Sequence, residues 1–220
     1  MARPRSDIRP RIVHAARARF LIDGVDGASL RQIAREARTN LGMIVYYFPA
    51  KDDLFLAVVE EVYPRLLEQL AQALGGAGST RDRLYRAFVG LGQLTDDELA
   101  VVRLIVREAL GSSRRLELVL ARAKRGHVAL LLDALAQGVA AGELDGSLPL
   151  PMALISTFAL GALPQFLRRA KGEALLALPE SEPLAKLSVE LLFRAIGPPA
   201  KPPNRPAPKS RTRKRVAAAR

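Results

Sequence analysis

The chain has 220 residues, 49% of them hydrophobic and 25% charged, the composition of a globular protein able to bury a full core. It contains no cysteine, which excludes a disulfide framework, a thiol nucleophile and any cysteine-based metal site, and suits a reducing compartment. Its formal charge of +12 is unevenly spread: the stretch 198–220 carries eight cations and no acidic residue, which suggests a polyanionic partner or a solubilising end.

Alanine, leucine and arginine dominate and strand-like runs are missing, so the chain reads as all-α. The start, MARPRSDIRPR, offers a short basic arm with Arg3 and Arg5 and no apolar stretch of the kind a signal peptide needs. Ser6 or Asp7 is placed to cap a first helix running to about Ile22, with Ile12, Ala15, Ala16 and Phe20 at helical spacing. Gly24 and Gly27 then break the chain. Ser29 with Gln32 three residues on forms a capping box for a second helix, whose inward face is Leu30, Ile33, Ala34 and Ala37. Arg38-Thr39 turns the chain, and Asn40 caps a third, short helix ending near Phe48. Pro49-Ala50 stops it, and a long fourth helix, Lys51–Leu74, opens with Asp52 and Asp53 in its first turn.

The loop Gly75–Gly78 is the expected break after that helix. Helices are predicted over roughly 80–92, 96–110 (with a capping box from Thr95 to Glu98), 113–141, 151–171 and 182–196. The stretch Leu148–Leu167 is uncharged and long enough to span a bilayer. Its three prolines and its Ser156, Thr157 and Gln165 make a core or dimer-interface helix the expected reading, with no membrane association. From Pro198 the chain is Pro-rich, basic and without apolar periodicity, the composition of a disordered tail.

Catalysis has no foothold in this sequence. Only His14 and His127 occur, far apart, and no HExxH, P-loop or GxSxG is present. Acidic pairs such as Glu60-Glu61 and Asp96-Asp97 are adjacent, so on a helix they point in different directions. No enzyme activity, cofactor or metal is expected.

Residues 24–55 carry the chemistry instead. Two short amphipathic segments flank a tight polar turn, which is how a helix-turn-helix reads. Ile44 and Phe48, at i and i+4, supply the packed side of its second helix and leave Asn40, Leu41, Gly42 and Met43 outward at the N-terminal end. Asn40 suits an adenine edge, Leu41 or Met43 a thymine methyl, and Gly42 allows close backbone approach. Tyr46 and Tyr47 place hydroxyls beside phosphates, and Lys51 adds a cation at the positive end of the fourth helix. Arg31, near the start of the second helix, is a candidate for phosphate or guanine. With Ser29, these residues form the candidate DNA-contacting set.

The same residues resemble the tetracycline-repressor-like (TetR) family of bacterial regulators. Ala16, Phe20, Gly24, Ser29, Leu30, Ile33, Ala34, Ala37, Gly42, Tyr46, Phe48, Pro49, Lys51 and Leu54 stand in register with its pattern over about residues 8–60. Two departures stand out: Arg38 occupies the usual turn glycine, and Val45 a position often held by tyrosine. The resemblance implies a three-helix DNA-binding domain (1–50) with Asn40–Tyr47 as recognition helix, Tyr47 and Lys51 on phosphates and Arg31 touching DNA. It further implies an effector-binding and dimerisation domain (51–197, with 51–74 as connecting helix) ahead of the basic tail (198–220).

Within that second domain, Tyr85, Phe88, Arg103, Arg107, His127, Ser156 and Thr157 are polar or aromatic residues on apolar helices, and are the candidates to face a small-molecule effector. The segments 151–171 and 182–196 are the candidate dimer helices. The expected protein is a cytoplasmic, homodimeric transcriptional regulator, a repressor released from a palindromic operator by its effector. The alternative is a sequence-tolerant DNA binder driven by the basic tail.

Overall fold

Gly24 takes a left-handed φ of 75° that a side chain would resist, and it divides the first helix, α1 (Ile8–Gly27), into a long arm and one closing turn. The arm therefore runs slightly past the expected Ile22, and the break falls at the glycine. The computed structural model describes residues 7–169 and 177–198; Arg3, Arg5 and the tail from 199 onward lie outside them.

The second and third helices, α2 (Leu30–Glu36) and α3 (Leu41–Tyr47), start where their caps dictate. The Ser29 hydroxyl accepts from the Gln32 amide at 3.4 Å, and the Asn40 side chain from the Met43 amide at 2.9 Å. The Ser29 box is only half made, because the Gln32 side chain reaches forward to Glu36. The fourth helix, α4 (Lys51–Gly75), begins with Asp53 accepting from the Ala50 amide at 3.0 Å. Its 25 residues give it a length of about 37 Å.

That length lets α4 belong to two hydrophobic cores. Its first half packs Leu54, Phe55, Val58 and Val59 against Ile12, Ala16 and Phe20 of α1 and Ile33 and Ile44 of the helix-turn-helix. Leu104 of α6 (Asp96–Gly111) closes this first core. The end of α4, at Leu74, joins a second core with α5 (Thr80–Gly92), α8 (His127–Ala140), α9 (Leu150–Thr157) and α11 (Ser181–Ile196). Two reciprocal capping boxes sharpen this half. Thr95 and Glu98 start α6 as expected, and Ser79 and Asp82 start α5 in the same way.

Two expected helices are divided. The segment predicted over 113–141 is α7 (Ser113–Lys124) followed by α8, separated at Gly126. Gly126 lies against the Tyr63 hydroxyl of α4, so closely that a Cβ would collide with it, and its ψ of −114° is not helical. A long-range contact thus stops a helix that local propensity would continue. The segment predicted over 151–171 runs as α9, a π-helical turn (Phe158–Ala162) and α10 (Leu163–Arg168). Pro164 has no amide to continue the α ladder, and the Leu163 amide bonds back to Phe158. Gly161 lets that turn press onto the Phe88 ring.

The two halves are tied together by a buried guanidinium. Arg115 of α7 is 6% exposed and bonds Asp26 at the end of α1, Asp52 at the start of α4 (3.0 Å) and Glu108 of α6 (2.8 Å). The other Glu108 oxygen accepts from the Val25 amide at 3.2 Å. Removing the guanidinium leaves the buried Glu108 and the largely covered Asp52 without their counter-charge, while Asp26 stays exposed to water. Arg115→Met is expected to lower the unfolding free energy by about 3 kcal/mol in urea titration. Arg17→Met, which loses an ion pair with the exposed Asp97 side chain and a bond to the Asp97 carbonyl, is expected to cost less than about 1 kcal/mol.

Candidate nucleic-acid interface

The helix-turn-helix is built by burying one side of a seven-residue helix. Ile44 and Phe48 are 0% and 4% exposed against α1 and α2, which turns the rest of α3 outward. On the outward side stand Leu41, Gly42, Val45 and Tyr46, all exposed, with Met43 half-buried between them. Tyr46 is 76% exposed and meets Tyr47 edge-on, with ring centroids 5.2 Å apart. Tyr47 is half-buried and packs beside Phe48 in the first core.

The polar candidates take more particular places. The Asn40 oxygen is engaged in its cap, so its amide nitrogen is the group left to offer a base edge. Ser29 and Arg31 are exposed at the start of α2. Lys51 is half-buried and donates to the Asp26 carbonyl at 2.8 Å, which uses one of three ammonium donors. That bond ties α4 to the α1–α2 junction just beside the Arg115 network. The hydrogen bonds from Arg115 hold the Asp26 carboxyl below the usual range, opposed by slight desolvation and helped by the charges of Arg115 and Lys51.

Arg38 sits in the turn with φ 53°, the left-handed conformation that the expected glycine would take without strain. The sequence marks Arg38 only as a departure from glycine. The fold makes it one of three exposed cations, with Arg31 and Arg35, on the helix and turn that precede α3.

The seven effector candidates fall in separate places. Tyr85 and Phe88 of α5 belong to the second core, and Thr157, 1% exposed, bonds the Ala153 carbonyl next to Ser156 on α9. Arg103 and Arg107 are exposed on α6, bonding the Arg169 carbonyl and, at 2.6 Å, the Phe20 carbonyl. His127 pairs with the Tyr63 hydroxyl at 2.8 Å, and burial lowers its pKa, with a smaller effect from the charge of Arg122. A groove of about 540 Å³ runs between α1 and the end of α2, lined by Pro10, Arg11, His14, Ala18, Glu36 and Arg38, and none of the seven borders it.

A second exposed feature is apolar. Met152, Ile155, Phe158, Leu163 and Leu167 stand out from the α9–α10 segment, and Leu187 and Leu191 from α11. The stretch Leu150–Arg168 is, among the described residues, long and apolar enough to cross a membrane, and 28% of it is buried. Its other side packs Ala153, Thr157, Gly161, Ala162 and Gln165 inward.

The architecture is a three-helix head containing a helix-turn-helix, a long connecting helix and a second helical core. Residues 12–58 match the sequence model for bacterial regulatory proteins of the tetR family. The chain is 31% identical over 97 residues to the HTH-type nicotine-responsive transcriptional repressor HdnoR of Paenarthrobacter nicotinovorans, covering 44% of this chain and 50% of that one. The chain therefore spans half the length of that curated relative. Salmonella enterica GusR has the same fold over 88% of this chain and 97% of its own, with a TM-score of 0.68 at 20% identity. The regulator FadR of Bacillus subtilis, solved with stearoyl-CoA, matches 83% of this chain and 96% of its own, with a TM-score of 0.64 at 19% identity. Residues 12–58 are thus similar to the DNA-binding segment of the tetR family, and the chain shares its fold with these solved structures.

Glycine at position 38 would adopt the observed turn without a Cβ penalty. Arg38→Gly is expected to raise the unfolding free energy by about 1 kcal/mol, measured by urea denaturation. An unchanged or lower stability would show that the arginine is not strained.

Proposed function

We propose that this chain is a sequence-specific, DNA-binding transcriptional repressor that works as a homodimer in the cytoplasm and catalyses no reaction. The observation that carries the reading is α3 itself: one side locked into the first core by Ile44 and Phe48, the other offering Leu41, Val45 and Tyr46 to a groove. Ser29, Arg31, Asn40, Gly42, Met43, Tyr47 and Lys51 complete the DNA-contacting set, with Arg35 and Arg38 as further cations toward phosphate. Residues 1–50 act as the DNA-binding unit and 51–197 as the effector and dimer unit, with α4 shared between them.

The apolar faces of α9–α10 and α11 pair with those of a second copy, which would cover Phe158, Leu163, Leu187 and Leu191. The effector is a small molecule that enters near the π-helical turn, where Tyr85, Phe88, Ser156 and Thr157 lie on α5 and α9. Arg103, Arg107 and His127 serve mainly to hold helices together, as their backbone and Tyr63 partners indicate. HdnoR is a nicotine-responsive repressor and FadR was solved with stearoyl-CoA, and both support release by a ligand here. Two heads on a palindromic operator would then be separated or reoriented through α4.

The tail-driven alternative differs in where affinity resides. A randomised duplex pool selected at physiological salt is expected to yield the same palindrome with the full chain and with residues 1–197. Truncation should lower only the salt slope, by about 0.9 per lost phosphate contact. No enriched motif, together with loss of binding on truncation, would overturn the repressor reading.

A further inference from the structure

The recognition helix carries no charge. The seven residues of α3 are LGMIVYY, and the one amide that precedes them, Asn40, has its oxygen committed to the cap. Leu41 and Val45, four residues apart on one side of the helix, are 37% and 49% exposed, and Tyr46 beside them is 76% exposed. An apolar ridge of this kind on a short helix gains nothing from water. Arg31, Arg35 and Arg38 are exposed on α2 and the turn, off the recognition helix itself, and as cations suit phosphates.

In the major groove, guanine is read by the paired donors of arginine or lysine, and the thymine C5-methyl by apolar contact. Resting on the DNA-binding reading above, we propose that α3 reads its half-site through thymine methyl groups, contacted by Leu41 and Val45, and not through guanine. Cβ atoms four residues apart on a helix are separated by about 6 Å, so the two methyls lie within about two base steps of each other. Affinity comes from the arginines; selectivity comes from an apolar fit.

The test uses the full chain and the palindrome that the random pool returns. Each thymine is replaced in turn by uracil, which removes the methyl and leaves every hydrogen-bonding edge intact. One or two thymines in each half-site are expected to show about a fourfold loss of affinity, with the others unchanged. Leu41→Ala and Val45→Ala are surface changes that leave the core intact, and each should abolish the uracil effect at its own position, the coupling a double-mutant cycle detects. A palindrome at which uracil is neutral throughout would overturn this inference while leaving the repressor reading in place. Failure to recover any palindrome would overturn both.

Discussion

A guanidinium removed from water has to bring its counter-charges with it, and Arg115 does so from three directions at once. Asp26 comes from the end of α1, Asp52 from the start of α4 and Glu108 from α6. Lys51, next to Asp52, holds the Asp26 carbonyl, and Glu108 also holds the Val25 amide. The break at Gly24 is what swings Val25 and Asp26 toward α6 and α7, so a single left-handed residue serves this junction. The head cannot tilt against the second half of the molecule without opening at least one of these bonds. The α4 helix crosses the same point, belonging to both cores, so any shift along it is felt at Asp52.

This arrangement separates tasks that a smaller protein would have to combine. The first core fixes the geometry of α3 through Ile44 and Phe48, and the surface that remains is free to be apolar. The second core holds the α9–α10 segment with its small residues inward and its large ones outward. Between the two, the pairing of Tyr63 with His127 and of Arg122 with Glu60 adds a polar seam along α4. Each feature sits where the neighbouring core has already set the backbone, which is how a binding face becomes preorganised.

The helix starts were legible in the residues because caps act locally. Ser29, Asn40 and Thr95 all cap the helices they precede, and the packed face of α3 was visible as an i, i+4 pair. What escaped the pattern was long-range. Nothing near Gly126 announces Tyr63 sixty-three residues earlier, so α7 and α8 read as one helix. No local pattern marks Arg115, since its three carboxylates lie on separate elements. Lys51 reads in the sequence as a phosphate-facing lysine at a helix start, and its bond to the Asp26 carbonyl comes from a segment twenty-five residues earlier. The effector candidates were chosen for being polar or aromatic among apolar neighbours, a property that core packing, a histidine–tyrosine pair and a helix-internal hydroxyl bond satisfy equally well.

In the proposed repressor, two copies of this chain present two identical α3 helices to one symmetric site. Sedimentation of the full chain with the recovered palindromic duplex counts copies directly. Two chains per duplex, falling to one weakly held chain when Leu191→Glu disrupts the apolar face of α11, is the predicted result. A single wild-type chain per palindrome, or loading that continues to rise with protein concentration, would contradict it.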